Sequence, residues 1–341
     1  MRFGLIGYGG IGQLRAQALR QTAGASLAMI AEPVAGRRAE AARLGVPTTA
    51  SIEEVVTSPN VDAVVVSTPP NLHREHCAAA LLNGKHVLCE KPLAPTVDDC
   101  RYLVELATTR NLTLATGFNY RFYPAVVKAR QIIGDGRIGE VDHVKSFAGH
   151  PGGPEFTHQW VHDPSIVGGG ALMDNGIHLA DLTLHFLGDV ATTYGLASER
   201  VWQFPGSEDN GYLLMSTPDG RVGTLHASWT DWSGYHFSVE IHGTEGSVRL
   251  SYPPMLTVLH RRPAGSAKRG RREFFFFPAF QVLERVRSYR WTVVRSFVDE
   301  QGDFIARVRG RAGVGASGLA GLRAVELAAA AYRGRLSPVT P

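Results

Sequence analysis

Arg2-Phe3-Gly4-Leu5-Ile6-Gly7-Tyr8-Gly9-Gly10-Ile11-Gly12-Gln13-Leu14 opens the chain, and its reading decides the architecture. A short apolar run enters Gly7-x-Gly9-x-x-Gly12, and a helix-like segment, Gln13 to Arg20, leaves it. The glycine pattern has meaning only in that strand–turn–helix setting. There Gly7 permits a tight turn, Gly9 lets the backbone approach a pyrophosphate, and Gly12 allows helix and strand to pack closely. The helix N-terminus offers N–H groups and partial positive charge to a phosphate. Glu32 follows Gly12 by about twenty residues, after the apolar run Leu27 to Ala31, where it can accept hydrogen bonds from ribose hydroxyls. A glycine-rich turn with a chance acid downstream is the plain alternative. Strand, helix and acid together argue against it.

The first 120 residues alternate between strand and helix patterns. Strand candidates are Phe3–Gly7, Leu27–Glu32, Val61–Ser67, His86–Cys89 and Leu112–Thr116. Helix candidates are Gln13–Thr22, Gly36–Leu44, Ile52–Thr57, Arg74–Asn83 and Val97–Arg110. Several of these strands are continuous apolar runs, as buried parallel strands are. The alternation predicts a doubly wound parallel sheet, a Rossmann domain over residues 1–120. Ligands of such sheets bind beyond the carboxyl ends of the strands. Thr68-Pro69-Pro70-Asn71 and Glu90-Lys91-Pro92 each follow such an end, which places both beside a bound dinucleotide.

From about Arg121 the pattern changes, and residues 121–341 are predicted to form a second α/β domain with an open-faced, mainly antiparallel sheet. A helix is expected over Pro124–Ile133, then a glycine-rich stretch to Gly170, then a helix over Asp174–Leu187. Between about Ala191 and His260 the period is two: Tyr235, Phe237, Val239 and Ile241 alternate with His236, Ser238, Glu240 and His242. Such a meander buries one face, and the other must meet solvent or a second subunit. Helices are expected over about Thr292–Arg309 and Leu319–Arg333.

The composition is that of a globular enzyme: 341 residues, 44% hydrophobic, 19% charged, net charge +4. That charge is small for the length and gives no argument for nucleic acid. No apolar run is long enough for a membrane span, and the motif begins so near Met1 that a signal peptide is not expected. Cys77, Cys89 and Cys100 are odd in number and lack metal-type spacing, so they read as reduced thiols of a cytoplasmic protein.

Within Gly168-Gly169-Gly170-Ala171-Leu172-Met173-Asp174-Asn175-Gly176-Ile177-His178, Asp174 and His178 are four apart and share a face if the run is helical. A carboxylate beside an imidazole, with a lysine such as Lys91 brought to it, is a proton-transfer constellation. His178 is the best candidate base, since an imidazole takes a proton near neutral pH. Asp174 would orient the ring and stabilise its charged form. Competing readings are a structural histidine, a helix N-cap aspartate and a lysine in a surface turn. A zinc site from Asp174, His178 and Asp181 is the poorer account, because no cysteine or histidine cluster supports it. No metal is expected.

The chain resembles the glucose–fructose oxidoreductase / inositol dehydrogenase (Gfo/Idh/MocA) family. The resemblance rests on Gly7-x-Gly9-x-x-Gly12, Thr68-Pro69-Pro70-Asn71-x-His73, Glu90-Lys91-Pro92 and Gly117-Phe118-Asn119-Tyr120-Arg121-Phe122-x-Pro124. It continues through Gly168-Gly169-Gly170-x-Leu172-x-Asp174-x-Gly176-x-His178-x-x-Asp181, Gly243-Thr244-Glu245-Gly246 and Gly321-Leu322-Arg323-Ala324-Val325-Glu326-Leu327. It is nearly full length, with departures confined to Arg261–Tyr289. It implies NAD(P)-dependent oxidation or reduction of a sugar, cyclitol or related polyol. It further implies that Lys91 lies by the nicotinamide and donates to the reacting oxygen. Cofactor contacts are expected from Gly7, Gly9, Gly10, Ile11, Gly12, Glu32, Arg37, Thr68, Pro69, Asn71, His73, Glu90 and Lys91. Lys91, Asp174 and His178 form the expected catalytic set. Asn119, Tyr120, Arg121 and Trp160 join Asp174 and His178 as substrate contacts. Two other readings stay open: a redox-neutral glycosidase or lyase that recycles its NAD, and a non-catalytic NAD-binding regulator.

Cofactor preference points both ways. Glu32 favours ribose hydroxyls and repels a 2′-phosphate, while Arg37 and Arg38 lie close enough to neutralise one. NAD is expected, with NADP the alternative. A homodimer or homotetramer is expected through the open sheet. The basic stretch Arg261–Arg272 reads as a solvated hairpin loop diluted by Gly265, Ser266 and Gly270. Phe274 to Phe277 reads as core or subunit interface.

Overall fold

In the computed structural model, which describes residues 1–153, 159–261 and 270–333, the opening stretch becomes the centre of a parallel sheet. Six strands take part: β1 (Arg2–Ile6), β2 (Ser26–Ala31), β3 (Thr48–Thr49), β4 (Ala63–Val66), β5 (His86–Cys89) and β6 (Leu114–Thr116). Their order is β3-β2-β1-β4-β5-β6, every pair parallel, the doubly wound order of a dinucleotide-binding sheet. Helices α1 (Gly10–Leu19), α2 (Ala35–Ala42), α3 (Ile52–Val56), α4 (His73–Leu82) and α5 (Val97–Thr109) connect them. Ala63 to Val66 are completely buried, which is why β4 reads as an unbroken apolar run. At the start of α5 the Thr96 side chain accepts from the Asp99 N–H, and Asp98 and Asp99 sit in the first turn, where the helix dipole favours them.

Packing divides the chain into two compact units, Met1–Tyr123 with Pro278–Leu322, and Pro124–Phe277 with Arg323 onward. The segment 278–322, expected with the second domain, therefore packs with the first. It holds α9 (Pro278–Arg287), α10 (Arg290–Val308) and the start of α11 (Gly318–Ala331). Phe304 and Ile305 of α10 join Phe3, Leu5, Ile30, Val65 and Leu88 in one core, while Val294 and Phe297 pack with Ala18 of α1. The chain thus returns to complete the apolar cover of the first sheet, and sequence order alone does not reveal such a return.

The second unit is built on an eight-stranded sheet. Its strands are β7 (Val141–Gly149), β8 (Thr192–Ser198), β9 (Asn210–Ser216), β10 (Val222–Ser228), β11 (His236–Gly243), β12 (Gly246–Tyr252), β13 (Leu256–Arg261) and β14 (Arg271–Phe276). Their order is β14-β13-β12-β11-β7-β10-β9-β8. The alternation read in the sequence holds in β11, where Phe237, Val239 and Ile241 are buried. A simple meander does not hold, because β7 sits between β11 and β10 and pairs parallel with β10. That strand escaped sequence reading because its inward face is weakly apolar: Val144, Ser146 and Ala148, with Ser146 hydrogen-bonded to Thr183. Helices α6 (Pro124–Gly134) and α8 (Ile177–Leu187) pack on one face, and α7 (Pro164–Val167) is a single turn capped by Asp163. On the other face Tyr194, Tyr212 and Leu214 are exposed, Tyr212 stacks on His226, and His143 stacks on His242. Phe274 and Phe276 are also exposed, on the edge strand, so they are not core. Most of the expected basic loop, including Arg262, Lys268 and Arg269, lies outside the described residues. Among the described residues no helix is long and apolar enough to cross a membrane.

Candidate active site

The glycine turn is built for backbone to approach a ligand. Gly7 has φ +90° and donates its N–H to the Ala31 carbonyl, and a Cβ there would meet the Ser67 carbonyl at 2.8 Å. By contrast a Cβ on Gly10 would meet nothing within 4 Å, and one on Gly9 would meet only the Arg37 Nη1, at 3.9 Å. The outer side of the turn is therefore open, as a pyrophosphate cradle at the start of α1 requires. These residues fit a dinucleotide.

Glu32 is buried, and its carboxylate accepts from the Tyr8 N–H at 2.7 Å and the Val34 N–H at 3.0 Å. It thus pins the glycine turn to the end of β2. Arg38 donates to the carbonyls of Glu32 and Pro33, while Arg37 is exposed.

Beyond β4 and β5 lie the two expected turns. Thr68 and Pro69 are partly buried and Asn71 is exposed. His73, at the start of α4, is completely buried, with Nδ1 2.8 Å from the Pro92 carbonyl and Nε2 2.8 Å from the Thr68 carbonyl. Its ring therefore acts through the turns it joins. Lys91 is partly buried after β5. Its neighbour Glu90 is held by the guanidinium of Arg15, Nε to Oε1 2.5 Å, and Arg15 Nη1 reaches Glu300 Oε2 at 2.5 Å. Arg15 is fully buried, and its guanidinium lies 3.6 Å from the Phe297 ring centroid.

The run after Phe118 is a short 3₁₀ turn, Asn119–Phe122. Asn119 donates to Ser296 Oγ at 2.8 Å, Arg121 donates to the Val314 carbonyl at 3.0 Å, and Tyr120 packs on Tyr123. Asn119 and Arg121 are thus anchored inside the first unit.

In the second unit the Asp174–His178 run is not a plain α-helix from its first residue. Leu172–Gly176 is a π-turn that leads into α8 at Ile177, an irregularity frequent at functional sites. The turn is held by a buried acid that sequence reading missed, Glu208. Its carboxylate accepts from the Gly170 N–H at 2.6 Å, the Leu172 N–H at 2.7 Å and the Tyr332 hydroxyl at 2.8 Å. Burial pushes the Glu208 pKa up while these donors oppose the shift. Gly170 packs against the Glu208 backbone so closely that a Cβ there has no room.

Asp174 keeps 22% of its side chain exposed. Its Oδ2 accepts from the Trp229 indole N–H at 3.3 Å and lies 3.5 Å from His150 Nε2. The Gly152 N–H donates to His150 Nδ1 at 3.1 Å. His162, edge-on to Trp229, has its pKa lowered, by burial first, with the Gly153 backbone and Asp174 only partly opposing the shift. His178 and Asp181 are buried on α8. Asn175, beside Asp174, is buried with neither amide atom hydrogen-bonded among the described residues. Trp160 is exposed in the 3₁₀ turn Gln159–His162. Among the described residues no group of three or more His, Cys, Asp or Glu side chains is arranged to hold a metal ion.

Comparison with known proteins decides the family. Residues 1–118 match the oxidoreductase family with an NAD-binding Rossmann fold, and residues 126–249 match the GFO/IDH/MocA C-terminal domain. The chain belongs to the GFO/IDH/MocA oxidoreductase family. It is similar to the inositol 2-dehydrogenase of Rhizobium meliloti, 28% identical over 98% of this chain and 96% of that one. It is 33% identical to the 1,5-anhydro-D-fructose reductase of Ensifer adhaerens, over 78% of this chain and 82% of the relative. A solved levoglucosan dehydrogenase in complex with NADH superposes with a TM-score of 0.85, 25% identical, over 98% of this chain and 96% of that one. The family matches span the glycine turn, Glu90-Lys91-Pro92 and the Asp174–His178 run. The chain is thus an NAD-binding oxidoreductase.

Proposed function

We propose that this family member transfers a hydride between a nicotinamide dinucleotide and the CH–OH or keto carbon of a sugar, cyclitol or related polyol. The observation that carries the reading is the partly exposed Asp174 carboxylate one turn before His178, in a chain whose glycine turn is open toward a ligand. When bound, NAD supplies the hydride acceptor. His178 takes the hydroxyl proton, and Asp174 favours the imidazolium that results. His150 and Trp229 hold Asp174 in place. The Lys91 ammonium stabilises negative charge on the reacting oxygen. Trp160 and Tyr120 contact the substrate ring, while Asn119 and Arg121 shape the turn that carries Tyr120.

NAD is the preferred dinucleotide in this reading. Glu32 places a carboxylate at the end of β2, and Arg38 is already turned onto backbone carbonyls, which leaves Arg37 alone to meet a 2′-phosphate. The test follows NADH absorbance with purified protein, NAD and a panel of sugars and cyclitols. Net NAD reduction by a polyol supports the reading. Substrate loss with no net change in NADH instead indicates redox-neutral recycling, and dinucleotide binding without turnover indicates a regulator.

A further inference from the structure

Lys91 is flanked in sequence by two residues that the first unit holds from inside. On one side Glu90 accepts from Arg15, which in turn reaches Glu300. On the other the Pro92 carbonyl lies 2.8 Å from His73 Nδ1. The second ring nitrogen of His73 lies 2.8 Å from another carbonyl, that of Thr68. A neutral imidazole has one N–H, so it can donate to one of these oxygens and must turn a bare lone pair on the other. A charged ring donates to both.

We propose that His73 is held as a buried imidazolium that ties the Pro92 carbonyl to the Thr68 carbonyl, and that His73 and Arg15 together position the backbone on both sides of Lys91. The function of Lys91 rests on the reading given above, whereas the charge of His73 does not.

The Glu90 carboxylate, held by Arg15, favours a charged His73 ring. Complete burial is the largest influence on the His73 pKa and sets its direction, downward, against the Pro92 and Thr68 carbonyls and the Glu90 charge, which push it up. The charged ring stands instead on the two 2.8 Å contacts, because a neutral ring must set a bare lone pair against one of the two carbonyl oxygens. Of the other ionisable groups nearby, the Lys91 ammonium is the positive charge that competes with a cationic His73. His76, one turn along α4, contacts Thr68 Oγ1, and burial lowers its pKa.

The test is ¹⁵N–¹H NMR of the full chain with ¹⁵N-labelled histidine at about pH 8.5, where a ring of ordinary pKa is about 99% neutral. A ring with both nitrogens protonated is expected to persist, and to vanish in His73→Gln. A wild-type spectrum without any imidazolium overturns the charge assignment, and needs no variant. If His73→Gln does not fold, Glu90→Gln is the second probe: without the counter-charge the signature is lost at the same pH. His73→Gln is expected to lower kcat about 10- to 100-fold through misplacement of Lys91. Its NAD affinity, read by fluorescence titration, should fall less than kcat, because the ring reaches the cofactor site only through the Thr68 and Pro92 carbonyls. Unchanged kcat overturns the positioning role. A persistent imidazolium combined with full turnover in Lys91→Ala would instead overturn the proposed function and leave the charge assignment standing.

Discussion

Replacing Glu208 with alanine removes one acceptor group that serves three donors, and the size of the effect can be worked from the contacts. The carboxylate takes the Gly170 and Leu172 N–H groups and the Tyr332 hydroxyl, all at 2.6 to 2.8 Å. Hydrogen bonds to a charged group contribute about 1.5–3 kcal/mol each, and a buried N–H left without an acceptor costs about 1–3 kcal/mol. Neither backbone donor makes a second hydrogen bond among the described residues. These effects overlap, so Glu208→Ala is expected to destabilise the second unit by about 3–5 kcal/mol. Tyr332→Phe removes one donor and leaves the carboxylate with both backbone N–H groups, so about 1 kcal/mol is expected. The contrast between the variants carries the argument.

Urea unfolding followed by tryptophan fluorescence measures it, since Trp160, Trp202, Trp229 and Trp232 lie in the second unit and only Trp291 in the first. Activity should fall further than stability explains, because Glu208 anchors the π-turn that carries Asp174. The reasoning fails if Glu208→Ala lies within about 1 kcal/mol of wild type, or if Tyr332→Phe is as damaging as the alanine change.

Lys91→Ala and His178→Ala should each lower kcat by about 10²-fold or more with little effect on NAD binding, and steady-state kinetics on the true substrate check this. Asn175→Ala should raise KM by about tenfold and leave thermal stability nearly unchanged, because the amide has no partner among the described residues to lose; a large drop in Tm would make it structural. Glu32→Ser should shift kcat/KM toward NADP while loosening the glycine turn, and a wild type that already prefers NADP about tenfold would make Arg37 the phosphate ligand. The uncovered sheet face, with Tyr194, Tyr212 and Leu214 exposed, predicts a dimer or tetramer, and light scattering at 36.9 kDa would refute it.

Where one periodicity ran unopposed, the fold was legible. The buried valines of β4 and the alternation in β11 each declare their environment through a local pattern. Two placements were not legible. β7 hides its inward face behind Ser146 and Ala148, and small residues carry almost no hydrophobic period. Segment 278–322 joins the first unit through Phe297, Phe304 and Ile305, a partnership between distant parts of the chain that amphipathicity predicts without naming the partner. The helix over Asp174–Leu187 was read correctly from Ile177 on. Its first turn is a π-turn, which the hydrogen bonds of Glu208 favour and no local propensity encodes.

The site divides along the same line. Residues proposed to do chemistry lie in short contiguous runs, because strand ends and helix starts bring neighbours in sequence to one place. Residues that hold them come from far away: Glu300 meets Arg15 across 285 positions, and Arg15 meets Glu90 across 75. One trace of these partners was visible. Arg15 falls on the interior stripe of α1 with Gly12, Ala16 and Leu19, and Glu300 on that of α10 with Phe297 and Phe304. A charge on an apolar stripe must find a counter-charge or remain ruinously desolvated. Two opposite charges so placed are candidates for each other. Glu208 left no such trace, for it follows Ser207 in an irregular segment whose burial only the tertiary structure creates. Interior charge on a patterned helix is thus a readable signal for a supporting residue, and interior charge in a loop is not.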